Sequence, residues 1–405
     1  MKLDARIALR PCVSSSPAAL VGVVALALFA CGDDDGGGDP TVPPGPPPSS
    51  MDSGPPSDSG PPSARDAGPT DRDTGPTTRD AGPTPRDAGP TDRDAGGPAR
   101  NVPGRHDVSL VVEDERRDLL VYVPESVAGS VAAPVVFVVH GTSQTGEYFF
   151  NNSGWNALAD TEGFIVVYPD ALSYCYHQDD NGDGDTDDPG EQSVTTKWSS
   201  GFFTNHPLCT AEEIAALPAR DRALADHPLR DDVAFFGAMI DRLATDAVID
   251  TRRVYATGFS NGAQMTSRLG NDLPDRFAAV ASHAGFLEGV EPRVPTRPIA
   301  FALSAGAADP HWATPTDPIP LDETIFEEPF FVRTIAEYLT MTQLSDAHEH
   351  TTVTLGTRTV SRFSWTTSTV GADNRLELAI ISDLMHMYPS FEPQLWAFFS
   401  AHSLP

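Results

Sequence analysis

The sequence predicts an α/β domain, a mostly parallel sheet with helices on both faces, preceded by a disordered amino-terminal tether. Three observations carry that expectation. Continuous β-branched runs such as "APVVFVVHG" (133–141) and "FIVVYPD" (164–170) read as strands buried on both faces. Helix-patterned segments alternate with such runs, as the crossovers of a parallel sheet require. Residues 32–101, by contrast, contain almost no large apolar side chain and repeat "RDAGPTD RDTGPTT RDAGPTP RDAGPTD RDAGG" from Arg65. A stacked repeat needs a hydrophobic face, and dense Pro and Gly cannot offset the entropy of ordering, so this stretch reads as a spacer.

Taken in order, "HDVSLVVEDERRDLLVYVP" (106–124) alternates apolar and polar residues around a charged turn, the pattern of two antiparallel edge strands. The two buried strands follow, with "SGWNALADTEG" (153–163) helical between them. A long irregular insertion then runs to about residue 230. "DDVAFFGAMIDRLATDAVID" places Val233, Phe236, Ile240 and Leu243 on one helical face, behind two aspartates that suit the helix dipole. "RRVYATG" is the next strand and "AQMTSRLGND" the helix after it. "FAAVASHAG", "RPIAFALSAG" and "NRLELAIISD" are further strands, and "EPQLWAFFSAH" is a closing helix. The folded domain is placed at 102–405, long enough for one substantial core.

The amino terminus carries Lys2, Arg6 and Arg10, then "AALVGVVALALFAC". A positive segment followed by a short apolar run is the pattern of an export signal. Its end, Leu28-Phe29-Ala30-Cys31, resembles the lipobox of bacterial lipoproteins, which implies a signal peptide over 1–31 and lipidation at Cys31; plain signal cleavage is the alternative. Either reading exports the protein, as an outer-membrane or cell-surface lipoprotein or as a secreted one. Cys175 and Cys209 then form a disulfide in an oxidising compartment, with two buried thiols as the alternative. The formal net charge is −30, and the cations are arginines apart from Lys2 and Lys197. So acidic a chain argues against nucleic acid, and against a membrane as partner except through the lipid anchor.

Gly258-Phe259-Ser260-Asn261-Gly262 lies between a β-rich run and a helix. A tight strand-to-helix turn there would project the Ser260 hydroxyl from the sheet's carboxyl end, beside the positive end of the helix. Serine needs a histidine base and an orienting acid, and on this kind of scaffold they follow the nucleophile in the order acid, then histidine. Asp309 follows the strand "IAFALSAG" more closely than Asp317 or Asp322. Among the later histidines, His311 is two residues from that acid, His348 and His350 lie in a polar segment, and His402 sits in the last helix. His386 alone follows a strand and precedes a helix. Backbone N–H groups of Asn261 and Thr142 are the expected oxyanion donors, and His140, ahead of Ser260 in the chain, is structural.

The pieces "VVFVVHGTSQTGEYFFNNSGWNALADTEGFIVVYPDA", "DDVAFFGAMIDRLATDAVIDTRRVYATGFSNG", "AGAADP" and "MHMYP" resemble the polyhydroxybutyrate depolymerase and feruloyl esterase group of α/β-hydrolases. That resemblance implies the α/β-hydrolase fold and hydrolysis of a small or polymeric ester through an acyl-enzyme, with no cofactor for catalysis. It carries the group's triad to Ser260, Asp309 and His386 and its oxyanion loop to Thr142. Departures are Ala263 for a glycine, Ala305-Gly306 for His-Gly, Met385-His386-Met387-Tyr388-Pro389 for Gly-His-x-Trp-Pro, and Thr142 for a cysteine. Feruloyl or acetylxylan ester hydrolysis is the alternative activity, and a non-catalytic surface binding protein the alternative class.

Within "YCYHQDDNGDGDTDDPGEQ" (174–192), Asp179, Asn181, Asp183, Asp185 and Asp187 alternate, with Gly184 sixth, which is the ligand spacing of a calcium loop. Gly190 stands at the twelfth place instead of Glu, so a structural calcium and a plain solvated acidic loop are both open. "KWSSGFF" (197–203) brings Trp198 and Phe202 either to the site's mouth or into the core.

Overall fold

The computed structural model describes residues 100–129, 131–178, 192–314 and 316–405. Cys31, residues 32–99 of the expected tether, and the calcium-loop positions Asp179, Asn181, Asp183, Asp185 and Asp187 lie outside them. Among the described residues the strands in chain order are β1 (Gly104–Val112), β2 (Glu115–Val123), β3 (Ala133–Val139), β4 (Ile165–Pro169), β5 (Ser173–His177), β6 (Gln192–Thr196), β7 (Ile249–Phe259), β8 (Ala279–His283), β9 (Ala300–Gly306), β10 (His348–Leu355), β11 (Arg358–Trp365) and β12 (Leu376–Ile381). The helices are α1 (Gly146–Asn152), α2 (Trp155–Glu162), α3 (Ala211–Ala216), α4 (Ala219–Ala225), α5 (Asp232–Asp246), α6 (Asn261–Asp272), α7 (Pro329–Thr342) and α8 (Glu392–Ser400).

The main sheet runs β1-β2-β4-β3-β7-β8-β9-β12-β11-β10. From β4 to β12 the pairings are parallel, while β1–β2, β2–β4, β12–β11 and β11–β10 are antiparallel. The parallel core is where the β-branched runs fall, and every residue of β3 is buried. Alternation splits it into two layers. Val135, Phe137 and Val139 join Phe236 and Met239 of α5, Leu269 of α6 and Ile335 of α7 on one face. Val136 and Val138 join Trp155 of α2 and Phe399 of α8 on the other. Helices cover both faces, as the sequence predicts.

Several stretches differ from the sequence reading, among them α1 and α7, which it did not assign. The insertion is not irregular throughout: β5 and β6 form a two-stranded sheet of their own, followed by α3 and α4. His348 and His350 lie on β10, in an added hairpin at the sheet edge. Asn101, assigned to the tether, is a buried part of the domain. Its amide donates to the carbonyls of Val127, Val131 and Val248 and accepts from the Val248 N–H.

Candidate active site

Ser260 sits between the last residue of β7 and the first of α6 with φ +54° and ψ −124°. A non-glycine residue pays of order 1–3 kcal/mol for such a conformation, so the surroundings must enforce it. They do so through crowding that only glycine permits. A Cβ on Gly262 would lie 2.3 Å from the carbonyl oxygens of Val139 and His140, and one on Gly258 would lie 2.2 Å from that of Gly262. Ser143, Ala284 and Asp383 also have positive φ, just beyond β3, β8 and β12. Four of the seven non-glycine residues with positive φ among the described residues thus lie just beyond the carboxyl ends of parallel strands.

His386, beyond β12, places Nε2 2.9 Å from the Ser260 hydroxyl and Nδ1 2.7 Å from Asp309 Oδ2. Nδ1 therefore donates to the carboxylate, and Nε2 is left as the acceptor for the serine proton. Asp309 is fully buried. Burial alone would raise its carboxyl, but hydrogen bonds from His311 and His386 outweigh that and hold it well below the usual carboxylate range. The loop bearing His386 is fixed on two sides. His283 Nε2 donates to the Met387 carbonyl at 3.0 Å while its Nδ1 meets Ser304 Oγ at 2.7 Å. Trp155 Nε1 donates to the Tyr388 hydroxyl at 2.9 Å. Burial pushes the His283 imidazole down to about 4, so it stays neutral in that role.

The expected oxyanion donors face the same cleft: Thr142 and Asn261 both line it with Ser260. Asn261 is held by its side chain, whose Oδ1 accepts the Trp198 N–H at 2.7 Å and whose Nδ2 donates to Ser200 Oγ at 3.0 Å. That segment is pinned in turn by Ser199 N–H donating to Asp232 at 2.7 Å, and Asp232 is paired with buried Arg117 at 2.6 Å. The second aspartate of α5 is therefore an internal anchor, whereas Asp231 caps the helix through the Val233 N–H. Thr142 is held from the insertion. Ser143 N–H donates to the Thr196 carbonyl at 3.2 Å, Thr196 Oγ1 to the Gln144 carbonyl at 2.9 Å, and Lys197 Nζ to Thr142 Oγ1 at 2.9 Å. Cys175 of β5 is disulfide-bonded to Cys209, Cα to Cα 5.3 Å.

His140 is structural in its contacts: buried, its Nε2 accepts the Ala171 N–H and its Nδ1 donates to the Gly141 carbonyl. Trp198 and Phe202 divide the two readings of their segment. Trp198 is core, its indole bonded to the His140 carbonyl, and Phe202 lines the cleft. Two residues that sequence reasoning passed over stand in the site. His311 Nδ1 lies 2.9 Å from Asp309 Oδ1, and its ring is 4.2 Å from that of His386. Lys197 is the second; being the one lysine beyond position 2 was the signal that could have found it.

Asp309, His311 and His386 offer ligand atoms within 4.8 Å of one another, as do His177, Cys209 and Glu213. In the first group the three side chains already bond one another and Ser260; in the second the sulfur is spent in the disulfide. Neither donor set is that of an open metal site.

Residues 221–291, which carry the elbow, match the model described as the Prolyl oligopeptidase family. The strand–turn–helix around Ser260 at the carboxyl end of a parallel sheet resembles the nucleophile turn of α/β-hydrolases. The chain is 32% identical over 178 residues to the protein named "Putative esterase NocK" of Nocardia uniformis subsp. tsuyamanensis, covering 44% of this chain and 40% of that one. It is 29% identical over 153 residues to Poly(3-hydroxyalkanoate) depolymerase C of Paucimonas lemoignei, covering 38% and 28%. The chain thus spans less than half the length of these curated relatives. A solved acetyl xylan esterase from Aspergillus awamori aligns at 15% identity with a TM-score of 0.45, over 73% of this chain and 99% of that one.

Proposed function

We propose that the chain is an exported serine esterase that cleaves carboxylic esters through an acyl-enzyme. The observation that carries this reading is the unbroken line from Ser260 Oγ through His386 to buried Asp309, set on a strained strand-to-helix turn. Ser260 attacks the ester carbonyl while His386 Nε2 takes its proton. Asp309, ionised throughout the working range, steadies the imidazolium. Thr142 and Asn261 N–H groups receive the oxyanion. His386 returns the proton to the leaving alcohol, then draws one from water to release the acid. Export and lipidation at Cys31 belong to the same proposal, with any calcium confined to the acidic loop 179–187 and absent from the chemistry.

The names of the relatives support an ester, of polyhydroxyalkanoate type in one of them. A second reading, esters of a hydroxyl-rich alcohol such as acetylxylan, is favoured by the polar cleft wall of Gln144, Gln264, Lys197 and Glu288 beside the Phe202 ring. Turnover of p-nitrophenyl acetate and butyrate by the full chain tests the class. Ser260→Ala should cost at least about 10⁴-fold in kcat. A folded chain that neither turns these esters over nor reacts with a fluorophosphonate overturns the proposal.

A further inference from the structure

Lys197 is an anomaly of charge. The chain is strongly acidic, yet this lysine, 6% exposed, has no carboxylate within salt-bridge distance among the described residues. Among the described residues its ammonium has one hydrogen-bond acceptor, Thr142 Oγ1, and otherwise rests on ring faces, 3.6 Å from the Phe202 centroid and 5.3 Å from that of Tyr176. Burying a cation with no carboxylate in contact is costly, and the ring faces and the more distant Glu288 offset only part of the cost. An arrangement unfavourable in the resting protein is complementary to a negative charge that arises only during reaction. Lys197 lines the same cleft as Ser260, Thr142 and Asn261.

The geometry points to Lys197 as a positioning residue of the oxyanion site: it fixes the Thr142 loop by its bond to Oγ1 and sets a positive charge beside the nascent oxyanion. The inference rests on the serine-esterase reading above. The charged and titratable groups around the ammonium are Glu288 beyond β8, His206 after the Phe202 turn, and His311 beyond β9; Tyr176 of β5 offers a ring face. Burial lowers the ammonium to about 8, with Glu288 opposing, so the charge is lost on mildly alkaline titration. In the same field burial and Lys197 lower His206, while the Asp309 bond raises His311 against Lys197.

The test uses the full chain on p-nitrophenyl acetate across pH 6 to 10, comparing the parent with Lys197→Met. The expected result is a kcat about 10- to 100-fold lower with KM unchanged, and loss of an alkaline fall near pH 8 that the parent shows. A Lys197→Met variant with unaltered kcat and the same alkaline limb, while Ser260→Ala is inactive, overturns this inference and leaves the esterase reading standing. So does a raised KM at constant kcat, which makes Lys197 a substrate-binding group. A parent that neither turns over nor reacts with a fluorophosphonate overturns both. Should Lys197→Met fail to fold, Thr142→Val removes the acceptor alone: a lowered kcat supports the inference and an unchanged one overturns it.

Discussion

Gly262 lies against the end of β3, and its missing side chain sets how closely α6 approaches the sheet. The obstacles to a Cβ are the backbone carbonyls of Val139 and His140, which cannot swing aside as a flexible side chain would. Gly262→Ala should therefore cost ~1–3 kcal/mol of stability and lower kcat more than the same change at Gly237, whose added Cβ meets nothing within 4 Å. Thermal melts beside turnover measure both; equal behaviour of the two variants would sink the argument. The same scale shows what sequence can and cannot reveal. Ser260, Asp309 and His386 were readable because each follows a recognisable strand. His311 was not, because closeness in sequence argued against it. The turn through Pro310 in fact folds the chain back, so that both the His311 backbone N–H and Nδ1 reach Asp309 Oδ1.

Among elements, the β5–β6 hairpin has the largest effect for its size. It carries Thr195, Thr196 and Lys197 to the 142–144 loop, and its far strand is tied by the disulfide across a separation of 34 residues. In the chain-entropy account that closure contributes ~4 kcal/mol. Replacing both Cys175 and Cys209 by serine should lower the denaturation midpoint and also reduce kcat, since the 142–144 loop, proposed to supply an oxyanion donor, shares the hairpin's bonds. A variant destabilised yet fully active would show that the hairpin only packs. Nothing in periodicity announced this element, because "SYCYH" and "QSVTT" are short, mixed in polarity and separated by the acidic run. α7 was missed for another reason: "PFFVRTIAEYLTMT" follows a loop of prolines and acids that offers no preceding strand to pair it with. β3 and β4 were legible because burial on both faces favours continuous β-branched runs.

At the scale of the whole molecule, two buried neutral imidazoles couple the fold to pH. Burial pushes both His140 and His283 down to about 4, against about 6.5 in an unfolded chain. Between those values the unfolded chain binds more protons, so stability rises with pH and is lost on acidification, by about 2 kcal/mol for each residue by pH 5. His311, raised by its Asp309 bond, has the opposite sign but is largely exposed and counts for less. The melting temperature should drop between pH 6.5 and 5, before protonation of carboxylates relieves the net charge of −30. A flat melting profile across that interval would contradict the assignment of both histidines as neutral anchors.

Asn101 binds at Val248, directly ahead of β7, and Leu404 N–H donates to the carbonyl of Arg252, near the start of the same strand. Both ends of the domain therefore leave from the pole where β7 begins, a strand's length from the pole where it delivers Ser260. A tag or a second module joined directly ahead of Asn101 or after Leu404 would meet the domain at the end of β7 away from Ser260.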